Sequence, residues 1–184
     1  MRDGGLVAYP TDSSYALGCH LEDKRAVDRI RRIRNLDRHH NFTLMASDLK
    51  QVSQFAKIDN EQYRLLKALT PGAYTFILSA KRLVPNRLVH PKRRTIGIRI
   101  PDHAIIRDLL IELGEPIMSS SLIMPNATTA LGDPEMIREK LEHDVDLVID
   151  GGTVGNQPST VIDWHQETLE IVRVGAGDVT FLQD

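Results

Sequence analysis

The chain has 184 residues, a formal net charge of −2, 41% hydrophobic residues and 26% charged residues. Those values exclude a disordered or fibrous protein, and the length allows about two-thirds of the unfolded surface to be buried without a disulfide or metal staple. Cys19 is the single cysteine, which excludes an intramolecular disulfide framework and a Cys-rich zinc module, and no apolar run reaches the roughly 18 residues of a membrane span.

The opening stretch, MRDGGLVAYP, has no signal-peptide core, so the expected compartment is the cytoplasm and the expected organisation one domain over 1–184. Leu6 to Tyr9 is a short apolar run ended by Pro10, the pattern of a buried strand entering a turn. Asp23 can cap a helix running to Asn35, with Ala26, Ile30 and Ile33 at helical spacing. Phe42 to Ala46 reads as a strand, and Ser47 or Asp48 as the cap of a short helix to Phe55. A helix follows from Asn60 to Leu69, broken by Thr70-Pro71-Gly72, and Tyr74 to Leu78 is rich in β formers. Residues 81–94 form an irregular basic loop before Thr95 to Ile100, TIGIRI, which alternates like a half-buried strand. Asp102 is the expected cap of an amphipathic helix from His103 to Leu113, closed by Gly114. Pro116 to Ser119 reads as a strand leading into a Ser-rich turn, and Asp133-Pro134 starts a helix to about Leu141. Asp146 to Ile149, Thr160 to Trp164 and Leu169 to Val174 are the last three strands. Strands and helices interleave, so the fold class is α/β: one twisted, mixed sheet with helices packed on it and polar loops gathered around one concavity.

Charge is unevenly placed. Residues 24–40 and 81–99 together hold fourteen of the 23 Lys and Arg residues, with only Asp28 and Asp37 as acids among them. If the two runs meet on one face, they make a local positive field that attracts nucleotide or RNA phosphates. The plainer reading is a solvated helix face beside a basic loop.

Hydroxyl groups and arginines gather at three expected strand ends. Thr11, Ser13 and Ser14 follow the first strand in YPTDSSY, where open α/β sheets tend to hold ligands. Ser119-Ser120-Ser121 offers hydroxyls for phosphate or carboxylate oxygens, but lacks the flanking glycines of a nucleophile elbow. Arg99 and Arg173 each alternate with apolar residues, and Pro158-Ser159-Thr160 precedes a strand. Arginine suits bidentate binding of carboxylate or phosphate, so the set fits a pocket for a phosphate-bearing small molecule better than an acid–base machine. No GxxxxGK[ST] or GxGxxG motif is present, and Gly151-Gly152-Thr153-Val154-Gly155 reads as a tight loop. The adjacent His39 and His40 suit a shared metal ion poorly, and no metal held by protein ligands is expected.

GGLVAYPTDSSYALGC, the basic helix, TPGAYTFIL, TIGIRIPDH, EPIMSSS, PSTVID and RVGAGDV stand in the order seen in the YrdC/YciO family. The chain resembles that family over about residues 4–180, and its YciO branch through ALGC, HNFTLM and GDV. The resemblance implies a YrdC-like twisted sheet with a large, concave, positively charged cavity. It implies L-threonylcarbamoyladenylate synthesis from L-threonine, bicarbonate and ATP, with Mg²⁺ on the nucleotide, pyrophosphate released and a tRNA adenosine as the eventual acceptor. It also implies a non-catalytic alternative, the binding of double-stranded RNA or tRNA. Carried over by motif, Thr11, Arg99, Ser119 and Ser159 would hold the threonine substrate, and Arg34, Thr95, Ser121 and Arg173 the nucleotide. Arg31, Arg32, Arg38, Lys92, Arg93 and Arg94 are the candidate RNA contacts. No catalytic residue is singled out.

The departures are specific. Where synthases carry Lys-x-Arg, this chain has Arg34-Asn35-Leu36, and where they carry Ser-x-Asn it has Ser121-Leu122-Ile123. Relatives also place a helix upstream of the first strand, so either a late start or a shortened member is expected here.

Overall fold

Asp23 sets the first helix: its carboxylate accepts from the Ala26 backbone N–H, and Asn35 ends the helix in the left-handed region at φ 51°. The structure, a computed structural model, describes residues 1–37 and 40–180. Arg38, an expected RNA contact, and His39 lie outside the described residues.

The helices are α1 (Lys24–Arg34), α2 (Leu49–Phe55), α3 (Asn60–Leu69), α4 (Ala104–Leu113) and α5 (Pro134–Leu141). Asp48 caps α2 and Asp133 caps α5, whose first residue is Pro134. Asp59 and Gln62 form a reciprocal capping box on α3. α4 departs from expectation, since its N-cap is His103, with no side-chain cap bond. Asp102 is held one residue earlier, where its backbone N–H donates to Asp12 Oδ2 at 3.1 Å.

The strands are β1 (Val7–Pro10), β2 (Tyr15–His20), β3 (Thr43–Met45), β4 (Tyr74–Ser79), β5 (Thr95–Arg99), β6 (Ile117–Ser121), β7 (Leu147–Val148), β8 (Thr160–Asp163) and β9 (Glu170–Arg173). They form one mixed sheet in the order β7-β1-β2-β6-β3-β5-β4-β8-β9. β3 runs parallel to β5 and β4 to β8, while β6 lies antiparallel to both β2 and β3. β2 was not anticipated, because YALGCH is buried on both faces and shows no polar alternation. Ser120 and Ser121 were expected in a turn but belong to β6. Pairing with β2 overrides their weak β propensity. β5, expected to be half-buried, is buried throughout.

Alternation along the strands divides the sheet into two unlike faces. One face is apolar: Leu17, Leu44, Phe76, Ile98, Met118 and Ile162 share a core with α1, α3 and α5. On the other face, Ile106 and Leu110 of α4 cover Val7, Tyr9, Ala16, Met45 and Ile117. That second cluster ends at β3, so the same face of β5, β4 and β8 is left without an apolar cover. β9 closes the far edge with all four residues exposed, and a register shift interrupts its pairing with β8. Among the described residues no helix is long and apolar enough to cross a membrane.

Ile98 is 1% exposed at the centre of the sheet. Ile98→Ala is expected to lower unfolding free energy by about 2–5 kcal/mol, through lost burial and an unfilled cavity. Urea denaturation with an unchanged m-value checks this.

Candidate active site

The uncovered face begins at Gly97. It stands opposite Thr43 on β3 and Ile77 on β4. A Cβ at this position would lie 2.7 Å from Thr43 Oγ1 and 3.0 Å from the Phe42 carbonyl oxygen, so only glycine leaves the floor open. Above it is a cavity of about 220 Å³. Its floor carries the side chains of Thr43, Thr75, Ser119, Ser121 and Ser159, and Arg34, His40 and Arg173 stand among its walls.

The hydroxyls are held in place by one another. Tyr9 Oη and Ser119 Oγ share a hydrogen bond of 2.6 Å, and Thr75 Oγ1 and Ser159 Oγ one of 2.8 Å. Burial pushes the Tyr9 phenol well above its ordinary value, so it stays neutral.

Arg99 is 3% exposed and forms an ion pair with Asp12. Its Nη2 also donates to Ser13 Oγ at 2.9 Å and Thr11 Oγ1 at 3.4 Å, while its buried Nε has no partner. The loop wraps tightly around it. Thr11 Oγ1 donates to the Ser14 carbonyl at 2.6 Å and accepts from the Ser13 and Ser14 N–H groups. A narrow space of about 20 Å³ beside Arg99 is lined by Thr43, Thr75, Ser119, Ser120, Ser121 and Ser159, six residues that also line the larger cavity.

Arg34 reaches in from the last turn of α1. Its Nε donates to the Ile123 carbonyl at 3.1 Å and its Nη1 to Ser120 Oγ. Burial, and then the charge of Arg173, lower the Arg34 pKa to about 10. Arg173 is carried by β9, and its Nε and Nη2 both donate to the Ser159 carbonyl, at 3.1 and 2.8 Å. Although the residue as a whole is exposed, partial burial of the guanidinium end against Ser159, and then the charge of Arg99, lower its pKa as well. Like-charge repulsion thus acts between Arg173 and Arg34 and between Arg99 and Arg173, around a lining that contains no carboxylate.

Of the residues expected from sequence, Arg34, Ser119, Ser121, Ser159 and Arg173 meet in this cavity, and Arg99 joins them through the narrow space. Thr11 is buried in its own turn and reaches the site only through Arg99. Thr95 is fully buried, its hydroxyl has no partner, and it is not among the lining residues. Sequence reasoning missed Thr43, Thr75, Gly97 and His40. The first three were accessible by carrying the alternation of TIGIR sideways onto the neighbouring strands.

The two basic runs adjoin, since Arg31 Nη2 donates to the Arg87 carbonyl at 3.1 Å. Arg31 also lies over the Phe42 ring at 5.0 Å. Arg93 pairs with Asp163 at 2.9 Å and Arg94 with Asn86 at 3.0 Å, while Arg32 and Lys92 are exposed. Among the described residues no group of three or more His, Cys, Asp or Glu side chains is placed to hold a metal ion.

Guanidinium walls over a hydroxyl floor in the open face of a mixed sheet define an α/β protein with a cavity suited to anionic oxygens. The family model Sua5_yciO_yrdC, described as "Telomere recombination", matches residues 1–175, and the chain belongs to that family. It is 51% identical over 179 residues to the Escherichia coli protein named YciO, covering 97% of this chain and 87% of that one. The crystal structure of E. coli YciO superposes with a TM-score of 0.95 over the same shares of both chains. More distant members are threonylcarbamoyl-AMP synthases: that of Neisseria gonorrhoeae is 31% identical, covering 89% of this chain and 86% of its own. P. abyssi Sua5 complexed with L-threonine superposes with a TM-score of 0.87 at 28% identity, over 95% of this chain and 51% of Sua5.

Asp12 is the only carboxylate paired with the buried Arg99 among the described residues. Asp12→Ala is expected to cost about 3–5 kcal/mol of stability, because it leaves an uncompensated buried charge. Chemical denaturation of the variant against the parent measures it.

Proposed function

We propose that this protein binds L-threonine and ATP in the cavity and forms L-threonylcarbamoyladenylate, slowly, as a step in tRNA modification. The observation that carries the reading is the meeting of Arg34, Arg99 and Arg173 around a hydroxyl floor without a carboxylate. Threonine's amine attacks the bicarbonate-derived carbon, giving a carbamate with loss of water. A carbamate oxygen then attacks the ATP α-phosphorus, and pyrophosphate leaves. Arg99 orients the threonine carboxylate through the donors its loop leaves free, with Ser159 and Ser119 alongside. Arg34, Ser121 and Arg173 neutralise phosphate oxygens, so the protein acts by positioning and charge stabilisation. Mg²⁺ carried by the nucleotide itself would add to the neutralisation that Arg34 and Arg173 provide.

Slowness follows from two positions. Leu36, which stands where synthases have the motif arginine, packs against the apolar core, and Ile123, in place of the asparagine, lines the cavity. Each lost charge-assisted or polar contact costs on the order of 2 kcal/mol, and together they lower turnover about a hundredfold or more. The full chain, incubated with threonine, bicarbonate, ATP and Mg²⁺, is expected to release pyrophosphate above an Arg99→Ala control. Equal release by the two proteins overturns the reading.

A second reading rests on the contact between Arg31 and Arg87, which sets the two basic runs side by side. It takes this face as a site for double-stranded RNA or tRNA. Affinity is then expected to fall steeply with salt, and Arg32→Glu with Lys92→Glu to weaken binding equally across sequences. Salt-independent retention in a filter-binding titration counts against it.

A further inference from the structure

The segment that follows α1 presents a cavity group with no assigned role. At Leu36 the chain turns its side chain to the core, where the synthase motif would supply an arginine. Four residues on, His40 returns to the cavity wall. Its ring meets Phe42 edge-on, with centroids 5.6 Å apart, and Phe42 is 1% exposed with Arg31 stacked over it. His40 is thus braced by a buried ring rather than free in solvent.

We propose that His40 is a cation recruited by the ligand: it takes up a proton when a polyphosphate docks between Arg34 and Arg173, and then donates to the phosphate oxygens. The proposal rests on the reading above that this cavity takes a phosphate-bearing nucleotide. Among the described residues, the charged groups acting on His40 are Arg34 and Arg31 from α1, Asp37 from the turn after it, and Arg173 from β9. Without an anion, burial comes first and the charge of Arg34 next in pushing the His40 pKa down to about 4, with Arg31 and Arg173 adding to it and Asp37 opposing. The free imidazole is therefore neutral near neutral pH. A bound polyphosphate offsets the repulsion from the three arginines and attracts the imidazolium, so protonation and anion binding strengthen each other. The sign follows by linkage. Between about 4 and the raised value in the complex, binding consumes a proton, and affinity falls by up to about tenfold for each pH unit of increase. In this way one segment restores, only when loaded, part of the positive charge that Leu36 does not provide.

The test is calorimetric titration of ATP with Mg²⁺ into the full chain at about pH 6, in two buffers of different ionisation enthalpy, where an imidazole responds most sharply to its surroundings. Comparing wild type with His40→Gln at the same pH cancels the proton uptake of the nucleotide itself. Wild type is expected to take up close to one proton more than His40→Gln and to bind about tenfold more tightly, the gap narrowing towards pH 8. His40→Lys, a permanent cation, is expected to keep the tight binding without the extra proton, which separates loss of charge from loss of packing. Equal proton uptake by wild type and His40→Gln, with ATP bound by both, overturns this inference and leaves the nucleotide reading standing. No binding of ATP by any of the three overturns the nucleotide reading and this inference with it.

Discussion

A guanidinium group buried in a central strand is the constraint around which much of this molecule is arranged. Arg99 ends β5, almost wholly out of water, and taking such a charge from water costs several kcal/mol unless it is fully accommodated. The loop between β1 and β2 supplies that accommodation: Asp12 pairs with Arg99, and Thr11 and Ser13 offer their hydroxyls. The same carboxylate accepts the Asp102 backbone N–H, which fixes the approach to α4. One ion pair therefore ties together the first loop, the middle of the sheet and the helix that covers part of its second face.

That helix covers too little to close the face, and the site lies in the remainder. Beyond the Met45 and Ile117 cluster the inward positions include threonine, serine and glycine, with Ile77 and Val161 among them. A hydroxyl floor in a protein interior is stable only when its oxygens are hydrogen-bonded, and the Tyr9–Ser119 and Thr75–Ser159 pairs meet that need. The cost of three nearby cations is reduced differently. Arg34 and Arg173 lean on the carbonyl groups of Ile123 and Ser159, so each holds fixed acceptors while keeping its charge. A chain with a net charge of −2 thus gathers Arg34 and Arg173 around a lining that holds no carboxylate.

Much of this was legible in the residues. Asp23 and Asp133-Pro134 mark helix starts through their own chemistry, and TIGIRI announces a strand with Arg99 on one face. What escaped depends on neighbours distant in sequence. YALGCH carries no alternation because both its faces are buried, and Ser120 and Ser121 become strand because β2 pairs with them. The Asp102 cap failed for a similar reason, since a bond to Asp12 ninety residues away fixed its backbone. Thr43 and Thr75 looked like ordinary strand residues until register placed them beside Gly97 and Ser159. The motif order carried the family correctly, whereas which arginines are consumed in internal contacts, as Arg31 and Arg93 are, could be read only from coordinates.

The Arg173 wall differs in kind from the other two. It rides on β9, a four-residue border strand whose ladder with β8 is broken by a register shift, and whose Ile171 and Val172 face solvent. Releasing that strip exposes little additional apolar surface, so its opening free energy lies at the low end of the molecule's range, far below that of the buried β5. Backbone amides of β9 are accordingly expected to exchange with solvent sooner than those of β5, so that the rim carrying one cation breathes ahead of the strand beneath the floor.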